Sequence, residues 1–111
     1  MINLDIIKMQ LPLPIESMVT IVDMTVVLVD DGKGCKYEDT SRNRNIYAFD
    51  ADGNLMWQIQ EIFTEHNYAK PYLTITVKDG KLFTYNWIGM DYLVDLKDGS
   101  IHSFGPPRRP W

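Results

Sequence analysis

The sequence predicts an all-β domain, and three observations carry that prediction. First, Asp-Gly recurs at Asp52-Gly53, Asp79-Gly80 and Asp98-Gly99, each time between two short apolar runs. That is hairpin grammar, because glycine accepts the positive φ of a tight turn and aspartate tolerates it better than most residues. Second, the flanking runs are rich in valine, isoleucine, threonine and aromatic residues, which suit a pleated, half-buried surface. Third, helical periodicity is nearly absent. The best helical window, Gln58–His66, places Ile59, Ile62 and Phe63 on one face for about two turns and has no good N-cap. The expected architecture is a set of antiparallel hairpins forming a small two-sheet sandwich or a curled, barrel-like sheet of seven or eight strands. Residues 1–104 are expected to form a single β domain, and residues 105–111, which hold three prolines, an extended tail.

The elements follow in chain order. Ile2–Lys8 is apolar at positions 2, 4, 6 and 7, and its alternation suggests a first strand. Leu11-Pro12-Leu13-Pro14 then marks an edge or a linker, since proline donates no ladder hydrogen bond. Met18–Val29 reads as one long strand with a bend or bulge near Asp23. The unbroken Val26–Val29 run implies burial on both faces and a central place in its sheet. Asp30–Gly34 is a turn, and Cys35–Arg44 a long polar loop. Ile46–Phe49 and Leu55–Ile59 form the first Asp-Gly hairpin, with Leu55, Trp57 and Ile59 on the core face. Glu61–Lys70 is the second long connection. Leu73–Val77 and Leu82–Trp87 form the next hairpin. In its second arm the aromatic set Phe83, Tyr85 and Trp87 is the expected buried face, with an exposed aromatic strip as the alternative. Tyr92–Leu96 and Ile101–Phe104 form the last hairpin. Val27, Val29, Ile46, Leu55, Trp57, Ile75, Leu82 and Val94 are the expected core.

Bulk properties exclude several function classes. The 111 residues suffice for one domain, and a net charge of −4 lacks the basic footprint of a nucleic-acid binder. The one cysteine, Cys35, allows no internal disulfide, and no Cys/His cluster suggests zinc. No apolar run approaches the roughly 20 residues of a membrane span, and the first residues lack a signal-peptide pattern. The expectation is a soluble cytoplasmic protein without cofactor or metal, membrane contact or direct nucleic-acid contact.

Motifs for chemistry are thin. Asp50-Ala51-Asp52-Gly53-Asn54 resembles the front of a calcium loop, but its glycine comes too soon and Ile59 stands where a bidentate acid is needed. It reads as a hairpin turn. Gly32-Lys33-Gly34 lacks the remaining parts of a P-loop. His66 and His102 are the only imidazoles, with no nucleophile or carboxylate in a recognisable motif beside them. No catalytic residue is expected. The acids of the two long loops are more suggestive. Glu38 and Asp39 lie in one, and Glu61 and Glu65, with Tyr68 nearby, in the other. Aromatic area beside carboxylates makes a reasonable protein interface for a basic partner. Those five residues are the predicted partner-binding set.

Two resemblances arise on these residues. Ile46-Tyr-Ala-Phe-Asp-Ala-Asp-Gly-Asn-Leu-Met-Trp57 resembles a blade repeat of quinoprotein-type β-propellers, over one hairpin only, in a chain too short for a closed propeller. The longer run Asn45–Phe104, with its Tyr-Ala-Phe-Asp, Lys-Asp-Gly-Lys-Leu and Asp-Tyr-Leu-Val-Asp-Leu stretches, resembles small bacterial proteins. Some of those are similar to the immunity proteins of contact-dependent growth inhibition and related polymorphic toxin systems. This second resemblance implies an antitoxin that binds a cognate toxin C-terminal domain, often a nuclease such as an RNase, and blocks its active site. It carries over no binding residue. The competing expectation is a small ligand-binding or enzymatic β domain using Tyr85, Trp87 and His66.

Overall fold

The computed structural model describes residues 4–11, 14–29, 44–60, 72–86 and 91–103. Among them are one helix, α1 (Leu4–Gln10), and eight strands: β1 (Ile15–Ile21), β2 (Met24–Val29), β3 (Ile46–Phe49), β4 (Leu55–Gln58), β5 (Tyr72–Lys78), β6 (Lys81–Asn86), β7 (Asp91–Val94) and β8 (Ile101–Ser103). They form two four-stranded sheets, β1-β2-β3-β4 and β5-β6-β7-β8, antiparallel throughout. Each sheet is a meander of consecutive strands. The sheets stack as two open layers, so the sandwich reading holds and the barrel alternative does not. The tail, residues 105–111, lies outside the described residues.

The three Asp-Gly hairpins appear where the sequence puts them. Gly53, Gly80 and Gly99 all have positive φ. At Asp79-Gly80 both residues are positive, at 54° and 73°, as a two-residue hairpin turn of the type I′ family requires.

Between the sheets lies the main core. Val26, Leu28, Ile46, Ala48, Trp57 and Ile59 of the first sheet meet Tyr72, Ile75, Leu82, Tyr92 and Val94 of the second. The rings of Tyr72 and Tyr92 meet edge to face, 6.3 Å apart and 83° between planes, a geometry the ring quadrupole favours. Burial also pushes the Tyr92 phenol pKa up. A second apolar cluster, Ile7, Val27, Val29, Tyr47 and Phe49, lies on the outer face of the first sheet beneath α1. The Val26–Val29 run is thus buried on both faces, as predicted: Val26 and Leu28 point into the sandwich, Val27 and Val29 toward the helix.

Four sequence expectations need correction. The first strand expected at Ile2–Lys8 is helical over Leu4–Gln10. Apolar residues lie on every side of this short segment, so they match alternation by accident. What decides is Ile7, 0% exposed, packed into the outer cluster with Leu11 one helical turn on. Asp5 in the first turn and Lys8 in the last suit the helix dipole. The long strand Met18–Val29 is a complete hairpin, reversed at Val22-Asp23, with Ile21 paired to Met24. Leu55 is 48% exposed, not core. The ladder pairs Ala48 with Trp57 but Phe49 with Leu55, so Met56 is an extra residue and Leu55 is carried to the outer face. A similar shift between Tyr72 and Thr74 leaves Leu73 exposed and turns Tyr72 and Ile75 inward. In β6 the inner residues are Leu82 and Thr84, while Phe83 and Tyr85 face outward and are half-buried. Of the eight expected core residues, Val27, Val29, Ile46, Trp57, Ile75, Leu82 and Val94 are buried.

Candidate functional site

The predicted partner-binding residues fall in two stretches whose flanks meet at one point. The stretch holding Glu38 and Asp39 runs from Val29 to Arg44-Asn45. The one holding Glu61, Glu65 and Tyr68 runs from Gln60 to Tyr72. Asn45, 1% exposed, joins the two. Its carboxamide nitrogen donates to the Tyr72 carbonyl at 2.9 Å and the Val29 carbonyl at 3.3 Å, while its Oδ1 accepts the Tyr72 N–H at 2.8 Å. Its backbone carbonyl accepts the Val29 N–H at 2.9 Å. The Tyr72 hydroxyl donates to the Gln60 carbonyl at 2.6 Å. Arg44 donates to the carbonyls of Ile59 and Gln58, at 2.9 and 3.2 Å. Val29, Asn45, Gln60 and Tyr72, described residues that flank the two stretches, are therefore tied into one hydrogen-bonded node. Glu38, Asp39, Glu61, Glu65 and Tyr68 themselves lie outside the described residues, as do Cys35, His66 and Trp87.

Gln60 extends the node sideways. Its N–H donates to the Gly99 carbonyl at 2.9 Å, and its side-chain Oε1 accepts the Ile101 N–H at 3.1 Å. Asn45 at the start of β5 and Gln60 beside β8 thus occupy backbone groups at both lateral strands of the second sheet. Such groups would otherwise template pairing with another chain.

The acids of the hairpin turns serve the backbone. The Asp50 carboxylate accepts from the N–H groups of Asp52 and Asn54, both at 2.9 Å. The Asn54 amide first, with help from the Asn54 side chain and the Asp52 amide, holds the Asp50 pKa below its ordinary value. Asp98 is likewise lowered, chiefly by the Ser100 amide, which donates to it at 2.9 Å. Asp50-Ala51-Asp52-Gly53-Asn54 is a self-satisfied turn, in line with the hairpin reading. Among the described residues no three His, Cys, Asp or Glu side chains gather as a metal site.

A groove of about 530 Å³ runs along the outer face of the second sheet. Register places its walls in three rows. Lys78 faces Lys81, Thr76 faces Phe83, and Thr74 faces Tyr85 with Asp91 beyond it. Two of the three aromatics of the predicted strip, Phe83 and Tyr85, are here. His102 is exposed on β8, across from Leu93.

Sequence reasoning missed Asn45 and Gln60 as organising residues. Asn45 stands between a loop and an apolar strand and reads as an ordinary turn residue. Its signal was faint: an asparagine abutting the fully apolar run Ile46–Phe49, a place where a polar side chain must find backbone partners if buried.

The chain belongs to the family described as Domain of unknown function (DUF7957), whose model matches residues 2–105. Comparison with curated proteins finds no match.

Proposed function

We propose that this chain is an immunity protein: a binding module, not an enzyme, that neutralises a cognate toxin C-terminal domain, of the nuclease class, by occupying its active site. One observation carries the reading. The described flanks of both acidic stretches, Val29 and Asn45 on one side and Gln60 and Tyr72 on the other, are joined by hydrogen bonds at the Asn45–Tyr72 node. Segments rooted together on a β scaffold are the usual recognition surface of such folds. Carboxylates there match the basic cleft of a phosphodiester-cleaving enzyme and would steer its approach. The likeness of Asn45–Phe104 to immunity proteins, and a net charge of −4, point the same way.

The test is rescue. A toxin gene should lie beside the gene for this chain, and cells expressing its C-terminal domain should survive when the chain is co-expressed. Association should slow steeply between low and high salt, and Glu61→Gln with Glu65→Gln should weaken binding at least tenfold. Survival without any complex, or salt-independent association with unaltered affinity in the double variant, would refute the electrostatic inhibitor.

A further inference from the structure

The Asp-Gly dipeptides of the hairpin turns are open to one spontaneous reaction. Glycine has no side chain to shield its backbone nitrogen, so that nitrogen can attack the carboxyl carbon of the aspartate before it. The three turns differ in how far the nitrogen is restrained. The Gly53 N–H donates to the Asp50 carbonyl at 3.1 Å, and Gly53 is buried against Ile6, whose Cγ2 would lie 3.2 Å from an added methyl carbon. The Gly99 N–H donates to the Asp95 carbonyl at 2.8 Å, and Gly99 is buried against the Trp57 ring. The Asp98 carboxylate is itself engaged, accepting the Ser100 N–H at 2.9 Å. A fourth Asp-Gly, Asp31-Gly32, lies outside the described residues.

Asp79-Gly80 has none of these restraints. Lys78, Asp79, Gly80 and Lys81 are all exposed, and nothing lies within 4 Å of a carbon added at Gly80. Among the described residues neither the Gly80 N–H nor the Asp79 carboxylate makes a hydrogen bond. Asp79 also sits at φ 54°, left-handed backbone that an L residue adopts at a cost. An exposed turn with so few contacts opens more readily than the strands it joins. We infer that Asp79 is a site of isoaspartate formation in the folded chain, through a succinimide closed by the Gly80 nitrogen.

The chemistry is balanced within the chain and water. The Gly80 nitrogen bonds to Cγ of the protonated Asp79 carboxyl, the Cγ–OH bond breaks, and the amide proton leaves with the hydroxyl as water. One water then opens the ring. Cleavage of the Cγ–N bond restores aspartate, and cleavage of the bond between the Asp79 carbonyl carbon and the nitrogen routes the main chain through Cγ. The product carries an extra methylene in the backbone of a two-residue turn, whose length sets the register of Lys78 against Lys81 and of Val77 against Leu82. The modification therefore acts on the first hairpin of the second sheet.

The test is to age the full chain for weeks at neutral pH and body temperature, then digest it. Isomerisation leaves the mass unchanged, so it is read from backbone fragments diagnostic of isoaspartate. Folded chain should carry at least fivefold more isoaspartate at Asp79 than at Asp52 or Asp98. In urea the three positions should react at comparable rates, since each then has the same glycine neighbour and no turn. Gly80→Ala should slow the reaction at position 79 at least fivefold. Asp79→Glu, one methylene too long for the five-membered ring, should abolish it. Absence of isoaspartate at Asp79 overturns the inference. So does an equal or greater amount at Asp52 or Asp98 in the folded chain, or the same preference for Asp79 in urea, which would locate the cause in local sequence and not in the turn.

Discussion

Gly99 lies so close against the indole of Trp57 that a methyl group on its α-carbon would come within 2.5 Å of Cε3 and 2.9 Å of Cδ2. Trp57 is 6% exposed, and its Nε1–H donates to the Leu96 carbonyl at 2.9 Å. The last β-turn of the second sheet is thus clamped over a tryptophan of the first. Gly99 also has φ +76°, so alanine there meets both backbone strain and a rigid ring. Gly99→Ala should cost about 2–4 kcal/mol in urea unfolding. Gly80→Ala is the control: its φ is +73° but nothing lies within 4 Å of the added carbon. It should cost only the strain, about 1–2 kcal/mol. Equal losses at the two sites would remove the clamp from the account. Trp57→Ala, which empties the other half of the contact, should cost about 3–5 kcal/mol.

Asn45→Ala should destabilise by about 2–4 kcal/mol, because it strands the buried N–H and carbonyl of Tyr72 without their partners. Hydrogen exchange at the Tyr72 amide should accelerate more than at Leu82, in the middle of the same sheet. Uniform acceleration across both sheets would show that Asn45 is one more buried residue and not the tie between the two stretches.

Acid should weaken the hairpin turns. The pKa values of Asp50 and Asp98 are both lowered from 3.8 in the folded chain. A depressed carboxylate contributes stability that is fully present above its unfolded value and is lost as pH falls through the folded one. The window therefore opens at about pH 4 and extends downward. Asp98 is exposed and Asp50 only half-buried, so the effect is modest. Asp50→Asn and Asp98→Asn should each flatten the stability–pH curve below about pH 4 and leave its slope near neutrality unaltered. An unchanged acid limb in the double variant would contradict these turn hydrogen bonds.

Val22 is a β-branched residue at φ +54°, and it is 78% exposed. Left-handed backbone at such a residue is strained, and exposure leaves little packing to lose. Val22→Asn should therefore stabilise by about 1 kcal/mol, read as a higher urea midpoint with an unchanged slope. A lower midpoint would mean that the valine side chain makes a contact worth more than its strain.

Val22 also shows why part of the fold was hidden. The Asp-Gly reversals were legible because glycine advertises positive φ. A reversal built on Val-Asp advertises nothing, so Met18–Val29 looked like one strand. The bulges at Met56 and Leu73 each displace a two-residue period by one, and no local feature of Leu55-Met56-Trp57 reveals that. Helix α1 was hidden because a seven-residue segment, apolar on all sides, fits either period until its partner surface is known. The doubly buried Val26–Val29 run was legible because burial on both faces suspends alternation. Of the candidate site, the acidic stretches could be read as long connections. Their common root could not, since it depends on one asparagine bonding across 27 positions of sequence.

The consecutive order of strands within each sheet sets a timetable for synthesis. The first meander is complete at Gln58, while the second ends at Ser103, so 103 − 58 = 45 residues remain to be translated. At ribosomal speeds that is about 2–9 s. Throughout that interval Val26, Leu28, Ile46 and Trp57 face outward from a finished half with nothing yet to cover them. A released fragment ending at residue 71 should therefore be bound by hydrophobic-binding chaperones, and the full-length chain should not. For this protein the vulnerable moment is its birth, before the second layer arrives.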